Sequence, residues 1–289
     1  MPSVRLSAFA LAVLALVAAS ATARADADWQ KSYPVSANPS LTFSTGDASA
    51  DVHSCGSCRE IRIRIQWNDR HAADYTVSES QTGDHVNFEL REKVHMHFSI
   101  GTRHEPQVSI ETPSTMDLEA RTTDGSLKVS GLQGQVLLHT SDGSVDVSDV
   151  SGAVRLTASD GSIRMQNLSG TLESRSSDGS VRIDGRFTGV QVHTSDGSLD
   201  LTLAEGSRLS TASRIESSDG RVSIHLPRTL AADLEVHTGD GHIQCDLPLV
   251  MEGYDSKADS GHNIRGRLNG GGVPLTIHTS DGNVTIAAL

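Results

Sequence analysis

Aromatic side chains are scarce in this chain: Phe, Tyr and Trp together make up 3% of it. Clefts that grip sugars generally offer ring faces. Here Trp29 and Trp67 stand outside the part of the sequence that repeats, and Tyr254 falls on an inward column of it. Basic residues are also few, 24 Lys and Arg against 36 Asp and Glu, for a net charge of −12. Phosphate binding needs clustered cations, so the balance speaks against nucleic acid and against direct attraction to anionic lipid. The three cysteines, Cys55, Cys58 and Cys245, leave no second ligand pair at zinc-finger spacing. Long apolar runs are missing: residues 8–18 form one, too short for a permanent anchor, so no transmembrane segment is expected. No nucleophile elbow, phosphate loop or His-Glu-x-x-His occurs.

The short apolar run has a different meaning. Arg5 precedes it and Ala23-Arg24-Ala25 follows it, the form of a secretory signal peptide cleaved after Ala25. Losing Arg5 and Arg24 takes the net charge from −12 to −14. No Cys follows the cleavage site, so lipid attachment there is not expected. The sequence thus predicts an exported protein that is periplasmic, at the cell surface or secreted.

What the chain does have is one phrase written many times. Asp124-Gly125, Asp142-Gly143, Asp160-Gly161, Asp178-Gly179 and Asp196-Gly197 recur at a spacing of 18 residues, each flanked by Ser or Thr. After longer gaps the phrase returns at Asp219-Gly220 and Asp240-Gly241, lapses at Asp259-Ser260-Gly261, and closes at Asp281-Gly282. A fixed period of this length points to a stack of equivalent units.

Around each Asp the apolar residues alternate. Six and four positions before it stand Val136/Leu138, Val154/Leu156 or Val190/Val192; three and five after it stand Val145/Val147, Ile163/Met165 or Leu199/Leu201. The position two before is small, as at Thr122, Thr140, Ala158, Ser176, Thr194, Thr238 and Thr279. Each repeat therefore predicts two short period-2 strands with one buried face. Gly134, Gly152 and Gly170 mark a second bend. Two strands and two bends close one coil, and stacked coils give an all-β, single-stranded parallel β-solenoid, β-helix-like, of about nine short rungs. At about 4.8 Å per rung the rod is roughly 40 Å long. Extra residues are expected to bulge at 205–214 and 247–256. The expected organisation is residues 1–25 signal peptide, 26–110 an N-terminal β cap with opening rungs, and 111–289 the repeat domain. An antiparallel sandwich is the competing fold, since Asp-Gly turns also make hairpins.

The Thr-Ser-Asp-Gly-Ser phrases, the lead-ins Pro113…Met116-Asp117-Leu118-Glu119 and Pro227…Asp233-Leu234-Glu235, and the closing stretch from Leu268-Asn269-Gly270-Gly271-Gly272-Val273-Pro274-Leu275 to Thr279-Ser280-Asp281-Gly282 resemble the bacterial "putative adhesin" domain, a domain of unknown function. The resemblance covers Phe43 to Ile286. It implies an extracytoplasmic β-solenoid-like domain with an adhesive or interaction role, and it carries over no catalytic residues.

Each candidate chemistry has a structural competitor. The Asp column from Asp124 to Asp281 could ladder Ca²⁺ between rungs, giving a Ca²⁺-stabilised rod. The same residues are ordinary turn chemistry, Asp accepting local backbone bonds and Gly adopting positive φ, and that is the expected role of Asp124/Gly125 through Asp281/Gly282. His139, His193, His237 and His278 occupy a polar outward column, and a metal site there would need two of them in contact. In an oxidising compartment Cys55 and Cys58 are expected to form a disulfide, with Cys245 a small buried hydrophobe in an inward column. Zinc at Cys55/Cys58 with His53, or with His95 and His97, is the alternative. An acid/base pair of a periplasmic carbohydrate-active enzyme is another, although nearly all Asp, Arg and His fall into repeat columns. The reading is therefore a non-enzymatic interaction module with no cofactor. Its partner would be an unidentified protein or glycan of the envelope or surface, or a second copy of the chain.

Overall fold

The computed structural model describes residues 28–68, 70–93, 105–251 and 261–289; the predicted signal peptide, His95, His97 and Tyr254 lie outside them. Among the described residues the chain is all β apart from a 3-10 turn at Ala72–Asp74, and its strands join in one mixed sheet.

The alternation read from the sequence becomes two ladders. Before the Asp-Gly corner, Asp117–Thr122, Gln133–Thr140 and Ser151–Ala158 pair in parallel, with Leu118, Val136, Val154, Leu172 and Val190 as direct neighbours. After the corner, Leu127, Val145, Ile163, Val181, Leu199 and Val222 stand in the same relation. Both rows turn inward and form one continuous buried cluster that runs from Tyr33 to Ile286. Burial of each such side chain contributes about 1.5–3 kcal/mol, but only because the neighbouring level covers it. The second bend is softer than a turn. Ile163–Ser176 and Val181–Asp196 run through it as unbroken strands, and register shifts between Met165 and Leu168 and between Gly170 and Thr171 absorb the change of direction.

At the Asp-Gly corner the backbones approach too closely for a side chain. A Cβ on Gly143 would lie 2.1 Å from the Gly125 carbonyl oxygen, one on Gly179 2.2 Å from that of Gly161, and one on Gly197 2.0 Å from that of Gly179. Positive φ accompanies this at Gly161, Gly179, Gly197 and Gly220, but Gly125, Gly143, Gly241 and Gly282 lack it. Positive φ, expected of these glycines, is thus found at only some of them, whereas close contact along the stack is found at every Asp-Gly corner from Gly125 to Gly282. Hydrogen bonds run the same way, Asp142 N to Thr123 O at 2.9 Å and Asp160 N to Ser141 O at 2.7 Å. From inside, buried hydroxyls serve both purposes: Thr122 closes its own turn by donating to the Gly125 carbonyl, and Thr238 donates across to the Gly282 carbonyl of the neighbouring corner.

The levels do not stack in chain order. Ser40–Thr45 lies between His85–Glu92 and Asp117–Thr122, so an early segment sits between two later ones. At the other end Pro274–Asp281 lies between Ser213–Asp219 and Ala232–Thr238, and Val284–Ala288 between Val222–Leu226 and Ile243–Cys245. Antiparallel strands cover the flanks. Tyr75–Thr82 lies on His85–Glu92, Glu60–Gln66 on Gln107–Thr112, and Asn263–Leu268 on Ala232–Thr238. A bare parallel edge would recruit foreign strands, and these segments occupy it. Residues 247–251 are therefore more than a bulge: Val250–Met251 pairs with Asn263–Leu268. The extra residues after Leu203 do lie at a bend, held by Arg208 N to Phe187 O at 3.0 Å. Pairing also crosses the expected boundary near residue 110, because Ala50–His53 joins the strand Leu127–Ser130.

Gly197→Ala should lower stability by more than about 1 kcal/mol. Gly46→Ala, whose Cβ meets nothing within 4 Å, should be neutral or mildly stabilising. Chemical denaturation midpoints compare the two, and equal effects would contradict the crowding account.

Candidate functional site

The corners place their acidic residues outside. Asp124, Asp142, Asp160, Asp178, Asp196, Asp219, Asp240 and Asp281 are all exposed. Asp219 pairs level with Asp196 on one side and Asp281 on the other. Its carboxyl is pushed up, by desolvation first and then by the charges of Asp281 and Asp196. Asp47 is raised in the same way, by desolvation and then by Asp124 and Glu105. Among the described residues no three of His, Cys, Asp and Glu converge to hold a metal ion.

Beside the corner, on the outer face of the second ladder, runs a groove of about 370 Å³. Ser126, Ser144, Ser162, Ser180 and Ser198 line one side. Along its floor Lys128, Asp146, Arg164, Arg182 and Asp200 follow one another in register. Arg182 Nε meets Asp200 Oδ2 at 3.2 Å, whereas Arg164 stands between Asp146 and Arg182 and is exposed. Strand alternation fixes this arrangement, since every second residue must face away from the core. The groove offers hydroxyl donors and acceptors at one strand spacing, together with charges of both signs.

Further along the same face, Ser223, His225 and Asp200 come together, and their spacing tests the enzyme reading. Ser223 Oγ lies 3.4 Å from His225 Nε2, and Asp200 Oδ1 lies 3.9 Å from that same nitrogen. A relay needs the carboxylate on the opposite ring nitrogen, so this trio cannot activate the serine.

On the outer face of the first ladder the polar column reads His193, Glu216, His278, His237. The sequence order concealed this contact, because the segment carrying His278 inserts before the one carrying His237. Arg214 donates to Glu216 at 2.9 Å, and His193 Nδ1 lies 3.6 Å from Glu216 Oε2. Glu216 is held below the usual carboxylate range by the hydrogen bond from Arg214, then by the charges of Arg214, His193 and His278.

Cys55 and Cys58 are joined in a disulfide in the loop after Ser49–Ser54. The loop is tied to the stack by Cys55 N to Thr112 O at 2.9 Å and Ser114 N to Gly56 O at 2.9 Å. His53 faces Asp51 at 3.6 Å and Glu111 at 3.9 Å. Cys245 is free and half-buried instead of fully enclosed; among the described residues its strand, Ile243–Cys245, pairs only with Val284–Ala288. Burial still pushes its thiol up.

A family model described as Toastrack DUF4097 matches residues 41–287. No curated protein matches the chain. Solved structures similar to it include a "putative lipid binding protein" from Parabacteroides distasonis, 13% identical over 91% of this chain and 96% of that one, with a TM-score of 0.48. A "putative adhesin" from Bacteroides fragilis is 12% identical over 91% and 97%, with a TM-score of 0.45. A "putative cell adhesion protein" from Clostridium sporogenes is 9% identical over 91% and 100%, with a TM-score of 0.30. No helix among the described residues is long and apolar enough to cross a membrane.

Two outcomes check this description. A carboxyl raised in the folded state takes stability away above its titration, and the loss is relieved as pH falls through the raised value. Asp219→Asn should therefore raise the melting temperature at neutral pH, with the gain vanishing below about pH 4, where both side chains are uncharged; a lowered value at neutral pH would mean that the carboxylate bonds the turn. Thiol titration of unfolded, unreduced protein should find Cys245 alone, and three reactive thiols would remove the disulfide.

Proposed function

Because the chain belongs to the Toastrack DUF4097 family, we propose that it is an exported, non-enzymatic interaction module of the cell envelope or surface. Its scaffold is a β-solenoid, with residues 111–289 as the repeat region and 26–110 as its cap and opening levels. The Asp-Gly pairs from Asp124/Gly125 to Asp281/Gly282 are its structural corners, and the module works without a cofactor. The observation that carries this reading is the groove of Ser126 to Ser198 beside Lys128, Asp146, Arg164, Arg182 and Asp200.

Such a surface suits an extended partner better than a compact one. A serine hydroxyl and an outward charge recur at each of the five levels that line the groove, so a repeating glycan or an extended protein segment makes one small contact per level. The row carries both signs in a fixed order, with Arg164 and Arg182 side by side between Asp146 and Asp200, and that selects by register more than by net attraction. Side chains held by a sheet are already ordered, and binding then costs little further conformational entropy.

Arg164→Ala with Arg182→Ala should weaken binding to immobilised envelope glycans or surface proteins by at least about tenfold while leaving stability within about 0.5 kcal/mol, as for other exposed substitutions. Surface plasmon resonance and thermal melts supply the two readings. Turnover of a bound glycan would overturn the non-enzymatic role, and unchanged binding by the double variant would overturn the groove.

A further inference from the structure

We propose that His237 and His278 form a two-imidazole chelate for a divalent first-row transition cation, completed by water. The sheet holds the two residues as direct neighbours on adjacent parallel strands. Their rings lie 5.0 Å apart, centroid to centroid, with planes 8° from parallel. His278 is exposed and His237 half-buried, so one ring is fixed and the other can turn toward a shared ion.

The fixed ring is also oriented. Asn263, opposite His237 on the covering antiparallel strand, places its Oδ1 against His237 Nδ1. An amide oxygen only accepts, so the contact puts the hydrogen on Nδ1 and leaves the Nε2 lone pair free. Histidine ligands are commonly held in this way, with the second nitrogen donating to an oxygen that sets ring and tautomer. Glu216 is the next residue in the column beyond His278, already engaged by Arg214. It lends negative charge to the site without itself being needed as a ligand. No third His, Cys, Asp or Glu among the described residues converges on the pair. Two imidazoles with open positions suit Cu²⁺ or Zn²⁺ and do not suit Ca²⁺ or Mg²⁺, which prefer oxygen.

A distant histidine of the same column supplies a control. His139 stands between Arg121 and Thr157 and has no imidazole beside it. Titration of the metal-free full chain with Cu²⁺ alone, and with Zn²⁺ alone, should therefore show a site that His237→Ala and His278→Ala each weaken by at least about tenfold. Asn263→Ala should weaken it by about tenfold through the lost orientation, and His139→Ala should leave it intact. Unweakened binding when either His237 or His278 is removed would overturn the chelate. Should an alanine variant fail to fold, the paramagnetic resonance spectrum of Cu²⁺ on the parent chain decides. Coupling to two imidazole nitrogens that His278→Gln reduces to one supports the site, and coupling to one or none in the parent overturns it.

Discussion

Everything in this protein depends on how closely one corner can lie on the next. Strands in neighbouring levels hydrogen-bond only at strand spacing, and at that spacing the corner backbones touch, with a hypothetical Cβ reaching within about 2 Å of the carbonyl below. Glycine at the corner is thus the condition for every ladder bond on both sides of it. Once the corners stack, register follows, and with it the inward columns of Val, Leu and Ile and the outward rows of Ser and charge.

This hierarchy explains which parts could be read from the sequence. The columns around Asp142 and Asp160 were legible because period and alternation are local properties. The level at Leu41, Phe43, Ala50 and Val52 carries the same pattern around Asp47 and escaped notice because Ala48 replaces the glycine. The level at Leu275 and Ile277 shows its repeat in the sequence but not its place between two earlier levels, since pairing order is decided by what covers an edge and leaves no local trace. Two positions depend on that hidden order: His278, which comes beside His237, and Cys245, half-buried on a strand with one partner among the described residues. The long excursion between Cys245 and Pro274 was the available signal. A segment that long can travel past one level and return to another.

The same logic separates scaffold from function. Asp, Ser, Arg and His are the residues of catalysis, yet here most of them stand in columns whose spacing the fold imposes. What the fold leaves free to vary is the sequence of charges along a row, Lys128, Asp146, Arg164, Arg182 and Asp200, set at fixed intervals. Changing one side chain in the row alters its charge pattern and leaves the fold in place, because the ladder bonds are made by the backbone and the core lies on the other face of the strand.

The level formed by Pro274–Asp281 and Val284–Ala288 has one more implication. A chain that leaves the ribosome or crosses a membrane from its N-terminus delivers Ser213–Leu226 and Ala232–Cys245 first, and these two are not each other's partners. They must remain apart until the later segment arrives to join them. The stack therefore cannot grow to completion step by step behind the moving chain. Its last closure has to await the segment from Pro274 onward, when a strand made late is threaded into a place reserved among strands made early.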